Sequence, residues 1–187
     1  TGGSQGAKIF SKLVPQAVEL LRPDIRQRLV ISHHCRPEDK KNVISHYRKI
    51  GVIAEVESFF EDLPVRLNQA HLVICRAGAS TVAELATAGR PSILIPYPSA
   101  IDDHQSANGA ALSRAGGAIV MHEGQTTASI LSEQLTKILT NPDMLSSAAC
   151  AALRLGRSDA SKTLADIVEN LALLSQLPDS AANESSA

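Results

Sequence analysis

Short apolar runs alternate along the chain with longer segments in which apolar residues recur at the period of a helix. The longer pattern predicts amphipathic helices, whereas the short runs predict buried strands. Alternation of the two is typical of parallel β–α–β units, in which helices cover both faces of the sheet. The pattern therefore predicts a doubly wound α/β domain with a Rossmann-like parallel sheet, its strands at 28–32, 52–56, 72–75, 92–95 and 118–121.

Helices are predicted before and between these strands. The first ends near Pro23 and contains Pro15, which can kink it. Its predicted apolar face comprises Ile9, Leu13, Ala17 and Leu20. Further helices are expected over 37–50, 61–70 and 102–115, and another buries Val82, Leu85 and Ala86 before a stop at Gly89.

The last third of the chain has a helical pattern throughout. Thr126 or Thr127 can cap one helix, Asn141-Pro142 marks the start of a second, and Ser158 or Asp159 can cap a third. Their predicted inward residues are Ile130, Leu131, Leu135 and Ile138 in the first helix, and Leu164, Ile167, Val168 and Leu171 in the third. We expect one domain over 1–177 and a flexible polar tail over 178–187.

The glycine-rich turn at 2–6 stands directly before the first helix, with no strand pattern ahead of it. Such a turn normally follows a buried strand, which in the common doubly wound order is central. We therefore expect the first strand of the sheet to be missing before Thr1. Its two neighbours would then lack backbone partners, and the chain by itself should be poorly stable.

Composition narrows the function classes. Of 187 residues, 18 are Lys or Arg and 19 are Asp or Glu, so the net charge is -1 and no basic run suggests a nucleic-acid partner. The three cysteines are far apart and odd in number, which favours reduced thiols over a disulfide framework. No apolar run reaches the ~20 residues of a membrane-spanning helix.

The first candidate site is the glycine-rich turn itself. Its backbone N–H groups and the Ser4 hydroxyl can hold a diphosphate at the helix start, with Gly3 and Gln5 alongside. The alternative is an ordinary tight turn between a strand and a helix. The segment matches neither the dinucleotide pattern nor a Walker loop.

The second candidate site follows the predicted strand 72–75, at the strand end where ligands bind in open α/β sheets. Small residues from Ala77 to Ala83 leave room for a ligand, and Glu84 can accept hydrogen bonds from ribose hydroxyls. Arg76 can contact a phosphate. The alternatives are that Glu84 only complements the helix dipole and that Arg76 only pairs with an acidic residue.

The third candidate site runs from the rigid Pro96-Tyr97-Pro98 loop into a helix start. Gln105 and Asn108 share a helix face there and can contact sugar hydroxyls. The alternative is that Asp102 or Asp103 caps the helix and the other polar residues are solvated. A metal site at His33-His34-Cys35 is disfavoured, because adjacent side chains on a strand point to opposite faces and no second cluster completes a ligand set.

Five segments together resemble one family over about residues 2–170: GGSQGA at the start, FFEDL at 59–63, CRAGASTVAEL at 75–85, GRPSILIPYP at 89–98 and DDHQSAN at 102–108. The family is MurG, the peptidoglycan UDP-N-acetylglucosamine transferases. The resemblance implies the C-terminal, donor-binding half of a GT-B fold. It also implies inverting, metal-free transfer of GlcNAc from UDP-GlcNAc to undecaprenyl-pyrophosphoryl-MurNAc-pentapeptide (lipid I), giving lipid II at the cytoplasmic membrane face, with no cofactor.

The same resemblance implies roles for individual residues. Ser4 would contact the diphosphate, the backbone of Phe60 would meet the uracil edge, and Gln105 would bind GlcNAc hydroxyls beside His104 and Asn108. Glu84 would bind the ribose at the end of a donor-lining run, Ala79, Ser80, Thr81, Val82 and Ala83. The family's candidate base and membrane-docking patch lie in an N-terminal domain outside this sequence. The alternatives are another GT-B transferase, a UDP-GlcNAc epimerase and a non-catalytic UDP-GlcNAc-binding module.

Overall fold

The computed structural model describes residues 1–2, 7–98, 104–157 and 160–174. Strands and helices alternate in it as the pattern predicts. The strands are β1 (Val30–His34), β2 (Ile53–Glu57), β3 (Val73–Cys75), β4 (Ser92–Leu94) and β5 (Ala118–Val120). The helices are α1 (Lys8–Glu19), α2 (Pro23–Arg26), α3 (Lys40–Lys49), α4 (Leu63–Gln69), α5 (Ala79–Thr87), α6 (His104–Arg114), α7 (Ala128–Leu139), α8 (Pro142–Leu155) and α9 (Ala160–Leu174), with a 3₁₀ turn at Glu123–Gln125.

All strand pairs are parallel, which confirms the predicted fold class. β1 pairs with β2, and β3, β4 and β5 form a second sheet in that order. Within the described ranges no backbone ladder joins β1 to β3. Thr1 contacts both strands: its amino nitrogen donates to the Ile74 carbonyl at 2.7 Å, and its hydroxyl lies 3.3 Å from His34 Nδ1.

The apolar core lies on the two faces of β4, the central strand of its sheet. Ile93 packs in a cluster with residues of α1, α3 and α7, whereas Leu94 packs in another with residues of α5, α6 and α8. Neighbouring side chains of a strand point to opposite faces, so these two residues belong to different clusters. Burial of both faces explains why the run Ile93-Leu94-Ile95 is apolar throughout.

Several predicted boundaries and buried faces were wrong. β1 begins at Val30 instead of residue 28, and only one of its five residues, His33, is fully buried. α1 ends at Glu19, so Leu20 lies outside it and is exposed. Ile130 is also exposed, since it lies on the outward face of α7. Pro37 precedes α3 in a turn, instead of standing in its first turn.

The predicted caps agree better with the structure. The Thr127 hydroxyl accepts from the Ile130 N–H at 3.3 Å, and the Asn141 side chain accepts from the Met144 N–H at 3.1 Å. Both bonds satisfy amides that the helix itself leaves without partners. The predicted caps Asp102, Asp103, Ser158 and Asp159 lie outside the described residues.

The chain divides into two compact units, Thr1–Gly156 and Arg157–Ala187. The first contains every strand and the helices α1 to α8, and the described part of the second contains α9. Leu164, Ile167 and Val168 of α9 are exposed. In the part of the chain that the structure describes, no helix has the length and apolar character needed to cross a bilayer.

Candidate functional site

The segment after β3 places an open helix start at the carboxyl edge of the sheet. Gly78 is the N-terminal cap residue of α5, and no side chain of the described residues caps the helix. The first backbone N–H groups of a helix have no partner within it, so this end favours an anion. Ala79 and Ser80 are exposed and Thr81 is half-buried, so the first turn is accessible.

Glu84 lies one turn further along α5 and is exposed. Leu85 and Ala86, the next two residues, are buried in the core, so α5 presents its acid on the side away from the sheet. Val82 also packs against the core, which leaves its backbone as the part that can line a ligand. Ala83 is exposed and carries no bulk that would block one.

The start of α6 is tied to the neighbouring turns by two amide side chains. Gln105 Oε1 accepts from the Tyr97 N–H at 2.9 Å, which leaves Nε2 as the donor end of that amide. Asn108 Nδ2 donates to the Ala77 carbonyl at 3.2 Å, so this group holds α6 against the turn after β3. His104 is exposed at the first position of α6.

Arg76 is held by several protein groups. Its Nη1 donates to the carbonyls of Ile95 and Pro96 at 3.1 and 3.0 Å and lies 2.6 Å from Glu123 Oε2. The side chain is only 11% exposed. These contacts match the alternative in which Arg76 pairs with an acidic residue. They tie together the ends of β3 and β4 and the 3₁₀ turn. No local pattern in the chain indicated Glu123 as the partner.

Phe60 lies in the segment after β2 and turns its ring into the protein. It is 9% exposed, and the Arg66 guanidinium lies 4.2 Å from the ring centre. Phe59, the preceding residue, is exposed. His34 Nε2 lies 2.9 Å from the Ser58 carbonyl oxygen, and this contact ties the segment to the end of β1.

The glycine-rich turn can be located only by its flanks. Gly3, Ser4 and Gln5 lie outside the described residues. On one side of them, Thr1 contacts β1 and β3 near their carboxyl ends. On the other side, α1 begins at Lys8 with Ala7 as its cap residue, and no described side chain caps that helix either. Described site residues therefore follow the carboxyl ends of β2 in one sheet and of β3 and β4 in the other.

Two titratable groups of β1 and β3, His33 and Cys75, are buried. His33 Nδ1 lies 2.9 Å from the Tyr47 hydroxyl, and burial lowers the pKa of His33 to about 3. Burial also raises the pKa of the Cys75 thiol to about 11. His33 and His34 contact different partners, as strand alternation requires. The described ranges contain no group of three or more His, Cys, Asp or Glu residues arranged to hold a metal ion.

A wide groove of about 760 Å³ lies elsewhere on the first unit, lined by residues of α1, α3, α7 and the 3₁₀ turn. None of the described residues that line it belongs to the predicted donor site. We favour the edge of the strands over this groove, because convergent polar groups and helix starts are found there.

Comparison with known proteins identifies the family of the chain. The model of the glycosyltransferase family 28 C-terminal domain matches residues 1–171. A relative from Agrobacterium fabrum is 50% identical over 171 residues, covering 91% of this chain and 45% of the relative. One from Rhodospirillum rubrum is 51% identical over 168 residues, covering 90% and 43%. Both are named UDP-N-acetylglucosamine–N-acetylmuramyl-(pentapeptide) pyrophosphoryl-undecaprenol N-acetylglucosamine transferase.

Solved structures give the same result. MurG of Acinetobacter baumannii superposes with a TM-score of 0.82 at 32% identity, covering 91% of this chain and 48% of that one. The glycosyltransferase VinC, at 16% identity and a TM-score of 0.55, shares the fold alone. The chain spans about half the length of the relatives it matches.

Proposed function

We propose that the chain is the donor-binding half of a lipid II-forming GlcNAc transferase. The proposal starts from the family, since the chain belongs to the glycosyltransferase family 28 C-terminal domains. In this proposal GlcNAc passes from UDP-GlcNAc to lipid I by direct displacement of UDP. The names of the relatives support both substrates, because they specify UDP-N-acetylglucosamine and a pentapeptide-bearing pyrophosphoryl-undecaprenol.

The observation that carries the proposal is the open start of α5 at the carboxyl edge of the sheet, with Glu84 one turn into the helix. The N–H groups of Ala79 to Thr81 would bind the donor there and Glu84 would accept the ribose hydroxyls. Gln105, whose Oε1 is already bonded to Tyr97, would donate from Nε2 to a GlcNAc hydroxyl. Ser4 would contact the diphosphate and the Phe60 backbone would meet the uracil.

This half of the enzyme would contribute to the reaction by stabilising negative charge on the leaving UDP. As the bond from GlcNAc to the diphosphate breaks, negative charge grows on the leaving UDP. Fixed N–H dipoles at helix starts stabilise such charge without having to reorganise. The acceptor site and the catalytic base are proposed to lie on a second domain, which would dock at the cytoplasmic face of the membrane. Through lipid II the enzyme would supply peptidoglycan synthesis, and with it cell shape and division.

A chimera tests the function directly. The chain is fused behind the N-terminal half of the Rhodospirillum rubrum relative, to which it is 51% identical over the shared region. We expect the chimera to form lipid II from UDP-GlcNAc and lipid I, and chain 1–187 alone to form none. A chimera that converts UDP-GlcNAc without any acceptor would indicate an epimerase. One that binds UDP-GlcNAc and forms no product from any acceptor would indicate a binding module.

Gln105→Ala tests the sugar contact within the chimera. Removing the Nε2 donor should weaken UDP-GlcNAc binding more than UDP binding, because only the first ligand carries the sugar. Ser113→Ala, near the other end of α6, is the matched control. Calorimetric titration with both ligands measures the difference, and equal losses for UDP and UDP-GlcNAc would remove Gln105 from the sugar site.

A further inference from the structure

Arg66 of α4 joins three segments of the β1–β2 half of the domain. Its Nη1 and Nη2 bond the two Glu55 carboxylate oxygens of β2 at 2.7 and 2.9 Å. Its Nε bonds Asp62 Oδ1 at 2.7 Å, and Nη1 also donates to the Ser32 hydroxyl of β1 at 3.0 Å. The same guanidinium lies 4.2 Å from the centre of the Phe60 ring. We call Arg66, Glu55, Asp62 and Phe60 the guanidinium clamp.

The contacts of the clamp are unusually well defined for a residue at the protein surface. The paired bonds to Glu55 use the planar fork of the guanidinium, a geometry that lysine cannot reproduce. The Arg66 side chain is 22% exposed, so the contacts cover most of it. Bonding to Glu55 and Asp62 raises the pKa of Arg66 further above its ordinary value, so the group stays charged.

The position of Phe60 in the clamp affects recognition of the uracil nucleobase. Its ring is buried beneath the guanidinium, so the side chain is directed into the protein. Asp62, two residues later, is held by the same arginine. The clamp therefore restrains the short segment 60–62 from both ends, and with it the backbone N–H and carbonyl of Phe60.

We infer that Arg66 is a positioning residue for nucleobase recognition, holding the Phe60 backbone where it meets the uracil edge. This inference rests on the proposed function, which supplies the uridine nucleotide. Uracil and cytosine differ in the donor and acceptor groups of one edge, so a fixed pair of backbone groups can separate them. A loosened segment would lose that discrimination before it lost contact with the diphosphate.

The test compares UDP and CDP binding to the chimera and to its Arg66→Ala and Arg66→Lys variants. We expect Arg66→Ala to weaken UDP binding about tenfold, the scale of one lost hydrogen bond, and CDP binding by less than about twofold. Arg66→Lys should recover little, because it keeps the charge but not the fork. Arg22→Ala, which breaks an exposed ion pair with Asp24, is the matched control and should preserve the preference for UDP.

Glu55→Gln is a milder variant in case Arg66→Ala fails to fold, and it should shift the UDP-to-CDP ratio in the same direction by a smaller factor. An unchanged ratio in folded Arg66→Ala or Glu55→Gln protein, with a lowered Tm, would show a purely structural role and overturn the inference. UDP-GlcNAc binding would then remain, and the proposed function with it. Failure of the unmodified chimera to bind UDP-GlcNAc would instead remove both.

Discussion

The two sheets of the domain are stabilised in different ways. Every residue of β4 is buried, and its neighbours cover it on both edges. In β1 and β2, by contrast, only one residue of each strand is fully buried, and their first residues, Val30 and Ile53, are 79% and 70% exposed. Apolar packing therefore dominates the β3–β4–β5 sheet and contributes much less at the outer end of the β1–β2 sheet.

Polar contacts replace some of that packing around β1 and β2. Arg66 bonds Glu55, Lys40 bonds Glu57 and His33 contacts Tyr47, and each pair joins a strand to a helix. Such bonds have direction and length, so they orient a segment more sharply than apolar contact does, although each adds little net stability. One half of the proposed donor site is therefore supported by a packed apolar core, and the other half by polar side chains that bond specific partners.

Replacing one isoleucine by alanine in each sheet should give the greatest difference in the free energy of unfolding. Ile93→Ala in β4 should lower the free energy of unfolding by about 2–5 kcal/mol, because it leaves a cavity in a fully buried position. Ile53→Ala in β2 should change it by less than about 0.5 kcal/mol, because that side chain is already exposed. Urea unfolding of the chimera measures both, and equal losses would contradict the contrast between the sheets.

The next effect concerns binding of UDP-GlcNAc beside the β3–β4–β5 sheet. Glu84→Ala should weaken UDP-GlcNAc binding by roughly 1.5–3 kcal/mol, the usual range for hydrogen bonds to a charged group. Thr87→Ala, an exposed position at the end of the same helix, is the control. Isothermal titration of the chimera measures the affinity for UDP-GlcNAc. An unchanged affinity in the Glu84→Ala variant would show that Glu84 does not bind the ribose.

The third effect is a pH dependence in the β1–β2 half. Burial lowers the pKa of His33 to about 3, whereas in the unfolded chain it is about 6.5. Between these values the unfolded state binds a proton that the folded state does not, so stability is lost as the pH falls. The contribution is about 1.4 kcal/mol per pH unit.

His33→Gln should remove this part of the slope, because glutamine is not titratable and can still bond the Tyr47 hydroxyl. His71→Gln, at an exposed histidine, is the control. Thermal unfolding between pH 7 and pH 5 gives the comparison between the variants. If the His33 variant loses stability on acidification as steeply as the unmodified protein, another group is responsible.

The smallest effect tests how little a single polar contact contributes. Lys40 Nζ lies 2.6 Å from Glu57 Oε2, and both side chains are partly exposed. Lys40→Met should therefore cost less than about 1 kcal/mol, and the difference should shrink at high salt as the charges are screened. A loss as large as that of Ile93→Ala would mean that ion pairs, and not the apolar core, dominate the stability of this domain.

Much of the fold could be predicted from local signals. The alternation of apolar runs and helical periods identified every described strand to within two residues at each end. Asn141-Pro142 marked a helix start correctly because capping depends on residues only a few positions apart. Burial of β1 was not predictable in the same way, because Val30 is exposed or covered according to which segment packs on that face of the sheet.

In the candidate site, too, some residues could be predicted from local sequence and others could not. Sequence patterns predict which residue types follow β3 and β4, and parallel pairing brings the ends of these two strands to one edge, so Glu84 and Gln105 could be proposed as ligand contacts from the sequence. The folded chain alone set the long-range partners of Arg76, Asn108 and Arg66, because Glu123, the Ala77 carbonyl and Glu55 lie 47, 31 and 11 residues away from them along the chain. The physical reason is that helix periodicity and capping are local, whereas a long polar side chain bonds whatever group the folded chain brings within about 3 Å.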